Sequence, residues 1–303
     1  MAGGGGDPVK AILFAFFANL GISIAKGVAW IFTGSGSMLA EAIHSLADCT
    51  NQLLLLLGLK RSEKPATPDH PFGYGKAVFF WSFIVAMLLF SMGGMFSVYG
   101  GVKKILQPEE LKMAWVALIV LGVSIGLEVI SLWGAMREIN KMRGDKTMWQ
   151  WLRESRSAEM VVIWGEDVAA LLGLVLAFIF VLLATLTGNP VFDGIGSVVI
   201  GVMLLLISVF LFTRVKALLI GRSADPDIQA AISKIIEADG NIQNVLNTLT
   251  MQIGPNVMLA AKIKMKPGLK VDDAARAINK LETELKATFP EIKWSFIEPD
   301  VAD

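Results

Sequence analysis

Six stretches of roughly twenty mostly apolar residues, at 9–31, 38–59, 77–102, 113–136, 160–186 and 191–213, are each long enough to cross the hydrocarbon core of a bilayer. Inside lipid, a segment must satisfy its own backbone hydrogen bonds, so such stretches fold as transmembrane helices. The expected fold class is therefore an α-helical membrane protein with six transmembrane helices. Only 18% of the residues are charged, where soluble domains carry about a quarter.

After Arg222 the long apolar runs stop and charges become frequent. The expected division is a six-helix transmembrane domain over 1–222 and a cytoplasmic C-terminal domain over 223–303. In that tail, 226–238 repeats apolar residues at helical spacing (Ile228, Ala231, Ile232, Ile235, Ile236) after an Asp-Pro start. Strand-like runs at 245–253 and 257–265 flank Gly254-Pro255-Asn256, a hairpin signal. A second helix is expected over 271–289 and a last strand over 292–297. The order α-β-β-α-β makes a small two-layer, ferredoxin-like α/β domain.

Basic residues set the orientation. Lys60, Arg61, Lys64 and Lys76 lie between spans two and three, and Arg137, Lys141, Arg143, Lys146, Arg153 and Arg156 between four and five. Arg214, Lys216 and Arg222 follow span six. The opposite turns are poor in them, apart from Lys103, Lys104 and Lys112 after span three. Both termini are expected in the cytoplasm. The formal net charge of zero argues against nucleic acid as a partner. A single cysteine, Cys49, excludes an internal disulfide or a CxxC metal motif. The segment Met1–Pro8 lacks a basic n-region, so no cleavable signal peptide is expected, and no organelle address is visible. A bacterial inner (plasma) membrane is the expected location.

Ionisable residues inside spans are costly and mark functional sites. Span two carries Glu41, His44, Asp48 and Asn51 at steps of three, four and three, one continuous polar stripe. Span five carries Glu159, Glu166 and Asp167, and span one Asn19, Ser23 and Lys26. Each has a plainer reading. His44 alone could be a helix-to-helix hydrogen-bond device. Glu41 and Glu159 sit near span ends, Lys26 is expected to snorkel outward, and Glu128 to pair with an unnamed basic group. Cys49 is expected to pack, Met87, Met92 and Met95 to meet lipid or neighbours, and Asp193 to cap its helix at the outer mouth.

Together the stripes are harder to dismiss. An imidazole plus carboxylates is the donor set of a zinc-type site. Such a site binds metal when the histidine is neutral and the carboxylates ionised, so protonation favours release.

The segment Ser35-Gly36-Ser37-Met38-Leu39-Ala40-Glu41-Ala42-Ile43-His44-Ser45-Leu46-Ala47-Asp48-Cys49-Thr50-Asn51 resembles the second-helix motif of the cation diffusion facilitator family. His70-Pro71-Phe72-Gly73-Tyr74-Gly75-Lys76 resembles that family's cytoplasmic loop. With six spans and an α/β tail, the likeness covers almost the whole chain. It implies a homodimeric, proton-coupled exporter of divalent cations, mainly Zn2+, and no enzyme activity. His44, Asp48 and Asp167 carry over by position as metal ligands. The family's fourth ligand falls on Ile163, and the adjacent Glu166 is the substitute, as in the zinc-transporter-like branch with Glu-Asp in the fifth helix. Glu166 and Asp167 point about 100° apart on a helix, which leaves open whether one ion reaches both. The tail has no histidine or cysteine. His70 either binds metal in its loop or shapes it, with Tyr74 where a second histidine can occur. Asp272, Asp273 and Glu298 remain candidate tail ligands.

Other readings stay open. Carboxylate-rich coordination suits Mn2+ or Fe2+. A non-transporting, metal-sensing membrane receptor has the same features, and an intramembrane protease using Asp48 and Asp167 is the enzyme alternative. Glycine faces at Gly93 and Gly94 and at Gly194 and Gly201 are candidate dimer surfaces.

Overall fold

A computed structural model describes the backbone of residues 7–33, 36–108 and 114–302, and side chains there except 29–30, 32–33, 36–44 and 47. The Gly34-Ser35 turn and Lys112 fall outside it.

Asp7 opens the first helix: its Oδ1 accepts the backbone N–H groups of Val9 (3.1 Å) and Lys10 (3.4 Å), and Pro8 presets the first turn. Helix α1 then spans Pro8–Thr33 and α2 Gly36–Ser62. The third span is a single rod in three parts: α3 (Ala77–Leu88), a π-helical turn (Leu89–Met95) and α4 (Phe96–Leu106). Ser91 Oγ donates to Met87 O at 2.8 Å within that turn, and Gly93-Gly94 follow, so the ladder is loosened where side-chain bulk is least. Helix α5 (Ala114–Arg143), the short α6 (Met148–Glu154), α7 (Ala158–Thr187) and α8 (Val191–Ile220) follow. Gly188, at φ +65, terminates α7 in the left-handed conformation. Helix α8 continues two turns past the expected 213, carrying Arg214 and Lys216 out of the apolar zone on a helix.

Among the described residues five helical stretches are long and apolar enough to cross a membrane: Pro8–Val28, Ala77–Leu106, Ala114–Arg143, Ala158–Thr187 and Val191–Ile220. Helix α2, with 27 residues, is equally long but carries the polar stripe. The helices close a ring in which α1 packs on α2 and α5, α5 on α7, α7 on α8, α8 on α3 and α4, and α3 on α2. Phe17, Ile24, Ile119, Trp133, Leu186 and Leu206 stand exposed around it. Such a belt is stable in lipid and not in water.

The expected glycine dimer faces do other work. A Cβ at Gly201 would lie 2.6 Å from Val98 N, and one at Gly101 2.7 Å from Val198 N. Gly94 presses on Leu205 and Gly194 on Ile105. These small residues let α4 and α8 approach backbone to backbone within one chain, so they are not a free dimer surface.

Past Gly221 the chain forms α9 (Pro226–Ala238), β1 (Ile242–Ile253), β2 (Asn256–Met265), α10 (Val271–Thr288) and β3 (Ile292–Pro299). The sheet order is β1-β2-β3, antiparallel between β1 and β2 and parallel between β2 and β3. Along β2, alternate residues Val257, Leu259, Ala261 and Ile263 are buried, and Ile232, Ile236, Leu281 and Leu285 of the two helices cover them.

This tail is held against the segment between α5 and α7. Arg156 donates Nε to Ser223 O (2.6 Å) and Nη2 to Ala224 O (2.9 Å). Lys146 Nζ reaches Asp227 (2.9 Å), Asp225 (3.0 Å) and Glu154 (3.2 Å). Burial opposes the ammonium charge, but the hydrogen bonds to these carboxylates outweigh it and hold Lys146 above the ordinary lysine range. Lys146→Met leaves three carboxylates crowded without their cation. Trypsin is then expected to cut after Arg222 severalfold faster than in the parent, read by gel; equal rates would show that the Lys146 cluster does not hold the tail.

Candidate metal site

The described part of the polar face of α2, Asp48 and Asn51, turns into the ring. Asn51 is 6% exposed and Gln52 fully buried, and Asp48 is partly buried. The side chains of Glu41 and His44 lie outside the described residues, so His44 is placed only as a position on α2, one turn before Asp48.

Opposite stands the N-terminal half of α7, buried almost all round because α5, α8, α3 and α1 all pack on it. Gly165 allows the close approach: a Cβ there would lie 2.6 Å from Leu211 Cδ2. The next two residues are the expected ligands. Glu166 points to α2, where its Oε1 accepts Asn51 Nδ2 at 2.9 Å. Asp167 points to α5, where its Oδ2 accepts Ser131 Oγ at 3.2 Å. Both are nearly sealed from solvent, and each keeps a buried oxygen, Glu166 Oε2 and Asp167 Oδ1, without a hydrogen-bond partner. A buried acceptor left unbonded is costly and invites a cation or proton. The roughly 100° between successive helical residues separates the two carboxylates as expected. Ile163, by contrast, lies fully buried in the apolar cluster with Met160, Val161 and Leu211. It is core.

Lys26 departs from its sequence expectation, and Glu128 meets carboxylates as well as a cation. Lys26 does not snorkel: it is 3% exposed, and its Nζ donates to Ser45 Oγ on α2 at 3.1 Å. Lys26 lies on the side of α1 that packs against α2. Glu128 of α5 is 1% exposed and lies within electrostatic reach of Asp167, Asp48 and Glu166, as well as Lys26. Its surroundings are thus mostly like charges. Ser124, Glu128 and Ser131, spaced four and three, form the inward polar edge of α5, and that spacing was the available signal in the sequence. Asp48, Glu128, Glu166 and Asp167 thus share one neighbourhood of the helix bundle, with Lys26 in electrostatic reach of Glu128.

Among the described residues no three His, Cys, Asp or Glu side chains converge closely enough to grip a metal ion. Asp48 and Asp167 share a neighbourhood. Elsewhere, Cys49 packs with its Sγ 3.9 Å from Phe16 O. Glu159 is buried at the start of α7. Asp193 pairs with Lys104 at 2.8 Å, joining the ends of α8 and α4. His70 stacks on Tyr74 with ring centroids 4.3 Å apart, and its backbone closes a small bridge with Thr67. That is a loop-shaping role. Asp273 is paired with Arg276 at 2.7 Å.

Comparison with known proteins adds the following. Residues 12–220 match the cation efflux transmembrane domain. The proton-coupled zinc antiporter SLC30A9, mitochondrial, of Xenopus laevis is 34% identical over 88% of this chain and 47% of its own length. Metal tolerance protein C4 of Arabidopsis thaliana is 30% identical over 81% of this chain and 54% of its own. Magnetosome protein MamB of Magnetospira sp. (strain QH-2) is 24% identical over 94% and 92%. The chain spans about half the length of the zinc antiporter and the metal tolerance protein.

Proposed function

The chain belongs to the cation efflux (cation diffusion facilitator) family, a family of transporters and not of enzymes, and from that premise we propose that it exports a divalent metal ion, zinc first, from the cytoplasm in exchange for protons. The observation that carries this reading is the pair of sealed carboxylates on α7, each with one unbonded oxygen, Glu166 set against Asn51 in the polar stripe of α2 and Asp167 against Ser131 of α5. In the proposal His44, Asp48 and Asp167 hold the ion, and Glu166 supplies the oxygen that Ile163 lacks. Asn51 and Ser131 fix the carboxylates through their second oxygens, as outer-shell partners do in metal sites. The name of the SLC30A9 relatives, proton-coupled zinc antiporter, supports zinc and proton as the exchanged pair.

Four carboxylates gathered in a membrane interior require cations or protons to balance them. Metal binding needs the ionised ligands, so a falling pH must weaken it. Zinc affinity is expected to drop progressively between neutral and acid pH, read by calorimetry on the full chain in detergent; a pH-independent affinity would remove the proton coupling. The direct test uses proteoliposomes with a zinc-sensitive dye and a pH dye. Zinc movement with opposite proton movement is expected. Zinc binding without any flux would instead leave a metal-sensing receptor.

The excess of carboxylate over imidazole favours one variant, Mn2+ or Fe2+ as cargo, since harder ligands suit those ions. Competition against zinc in the same calorimeter separates them. Two further parts of the proposal are a homodimeric working unit, tested by cross-linking in membranes, and a bacterial plasma membrane as its location, tested by fractionation.

A further inference from the structure

Two buried ionisable side chains flank the proposed site, and the exchange reading gives neither a task. Lys26 of α1 is 3% exposed with its Nζ on Ser45 Oγ. Glu128 of α5 is 1% exposed, its Oε1 has no hydrogen-bond partner, and its carboxylate lies within electrostatic reach of Lys26. A lysine in a span ordinarily carries its charge to the headgroups. Held inside, an ammonium is costly unless nearby negative charge offsets it. Ser45, which Lys26 meets, stands one turn before Asp48 on α2, and Glu128 on α5 lies within electrostatic reach of Asp48 and of Glu166 and Asp167 on α7. The dependence runs both ways: those carboxylates repel one another, and Lys26 is tethered through Ser45 to the helix that carries Asp48.

We propose that Lys26 is the resident counter-cation of the transport site, balanced by Glu128, and that it competes electrostatically with the transported metal so that the ion is held weakly enough to leave. The proposal rests on the exchanger reading. A fixed positive charge near the ligands raises the energy of an arriving dication, and Glu128 lowers it; removing either shifts affinity in opposite directions. Lys26 needs no contact with the ion. It is a positioning residue that sets the field at the ligands. Its effect on transport is on release: an ion held more tightly saturates the carrier sooner and turns over more slowly.

The test titrates zinc chloride into the full chain in detergent, for the parent, Lys26→Met, Lys26→Arg, Glu128→Gln and the double variant Lys26→Met/Glu128→Gln. Lys26→Met is expected to bind zinc about tenfold more tightly, the size of one charge acting across a partly screened interior. Glu128→Gln binds more weakly, Lys26→Arg restores the parent affinity, and the double variant returns toward it. In proteoliposomes Lys26→Met shows a lower KM and a lower kcat together. A lysine that merely holds helices would weaken binding, and the double variant would be worse than either single. Lys26→Met that elutes like the parent but binds zinc no more tightly overturns the proposal. Should Lys26→Met fail to fold, Glu128→Gln decides alone: parent-like zinc affinity in it overturns the proposal. If the parent binds no divalent ion, the exchanger reading itself falls.

Discussion

Asp167→Asn is expected to reduce zinc flux in proteoliposomes about 100-fold or more, beyond the 10–100-fold typical of losing an outer-shell partner of a metal site. The amide has the volume of the carboxylate, and Ser131 Oγ, now 3.2 Å from Oδ2, can still hydrogen-bond to it. What disappears is the charge, together with the unbonded Oδ1 that is offered to a cation. Stability should change by only about 1 kcal/mol, since one hydrogen bond is exchanged for another and a like charge leaves a crowded cluster. Thermal unfolding in detergent checks that half of the claim. Ser131→Ala should give a smaller loss, because it disturbs only the orientation of the carboxylate. Parent-like flux in a folded Asp167→Asn protein would take Asp167 out of the transport site.

The second large effect is structural. Gly201→Val is expected to prevent α4 and α8 from closing and to leave the protein aggregated on size exclusion. Even the first carbon of that side chain would lie 2.6 Å from Val98 N and 2.9 Å from Gly94 O, and backbone cannot rotate away as a side chain can. Overpacking a yielding core costs about 1–3 kcal/mol; two backbones pressed together leave less to yield. Gly100→Ala, one residue along α4 from Gly101, meets nothing within 4 Å and should be tolerated. It gains helix propensity of about 1 kcal/mol relative to glycine. If Gly201→Val elutes and melts like the parent, the close α4–α8 crossing is wrong.

Much of this was legible because membrane helices announce themselves. Length and apolarity placed the spans, and the tail's α-β-β-α-β order followed from helical spacing over 226–238 and 271–289 and from the hairpin signal Gly254-Pro255-Asn256 between two strand-like runs. Asp48 and Asp167 stood out because a carboxylate in an apolar run has few innocent explanations. Span ends were less visible. Apolarity ends where lipid ends, while hydrogen bonding continues, so α8 runs on to Ile220. The π-helical turn in the third span was invisible, since it depends on how Gly93 and Gly94 meet α8.

By itself the sequence determined that this protein is a helical membrane protein with a small α/β tail, and which polar residues share a stripe on each helix. Tertiary structure alone decided which way each stripe faces. Glu166 meets Asn51 while Asp167 meets Ser131, Lys26 turns inward, Glu128 joins the carboxylates, and the glycines serve an internal crossing. The reason is geometric. Periodicity fixes angles between residues on one helix, but the rotation of that helix about its axis is set by the neighbours it packs against.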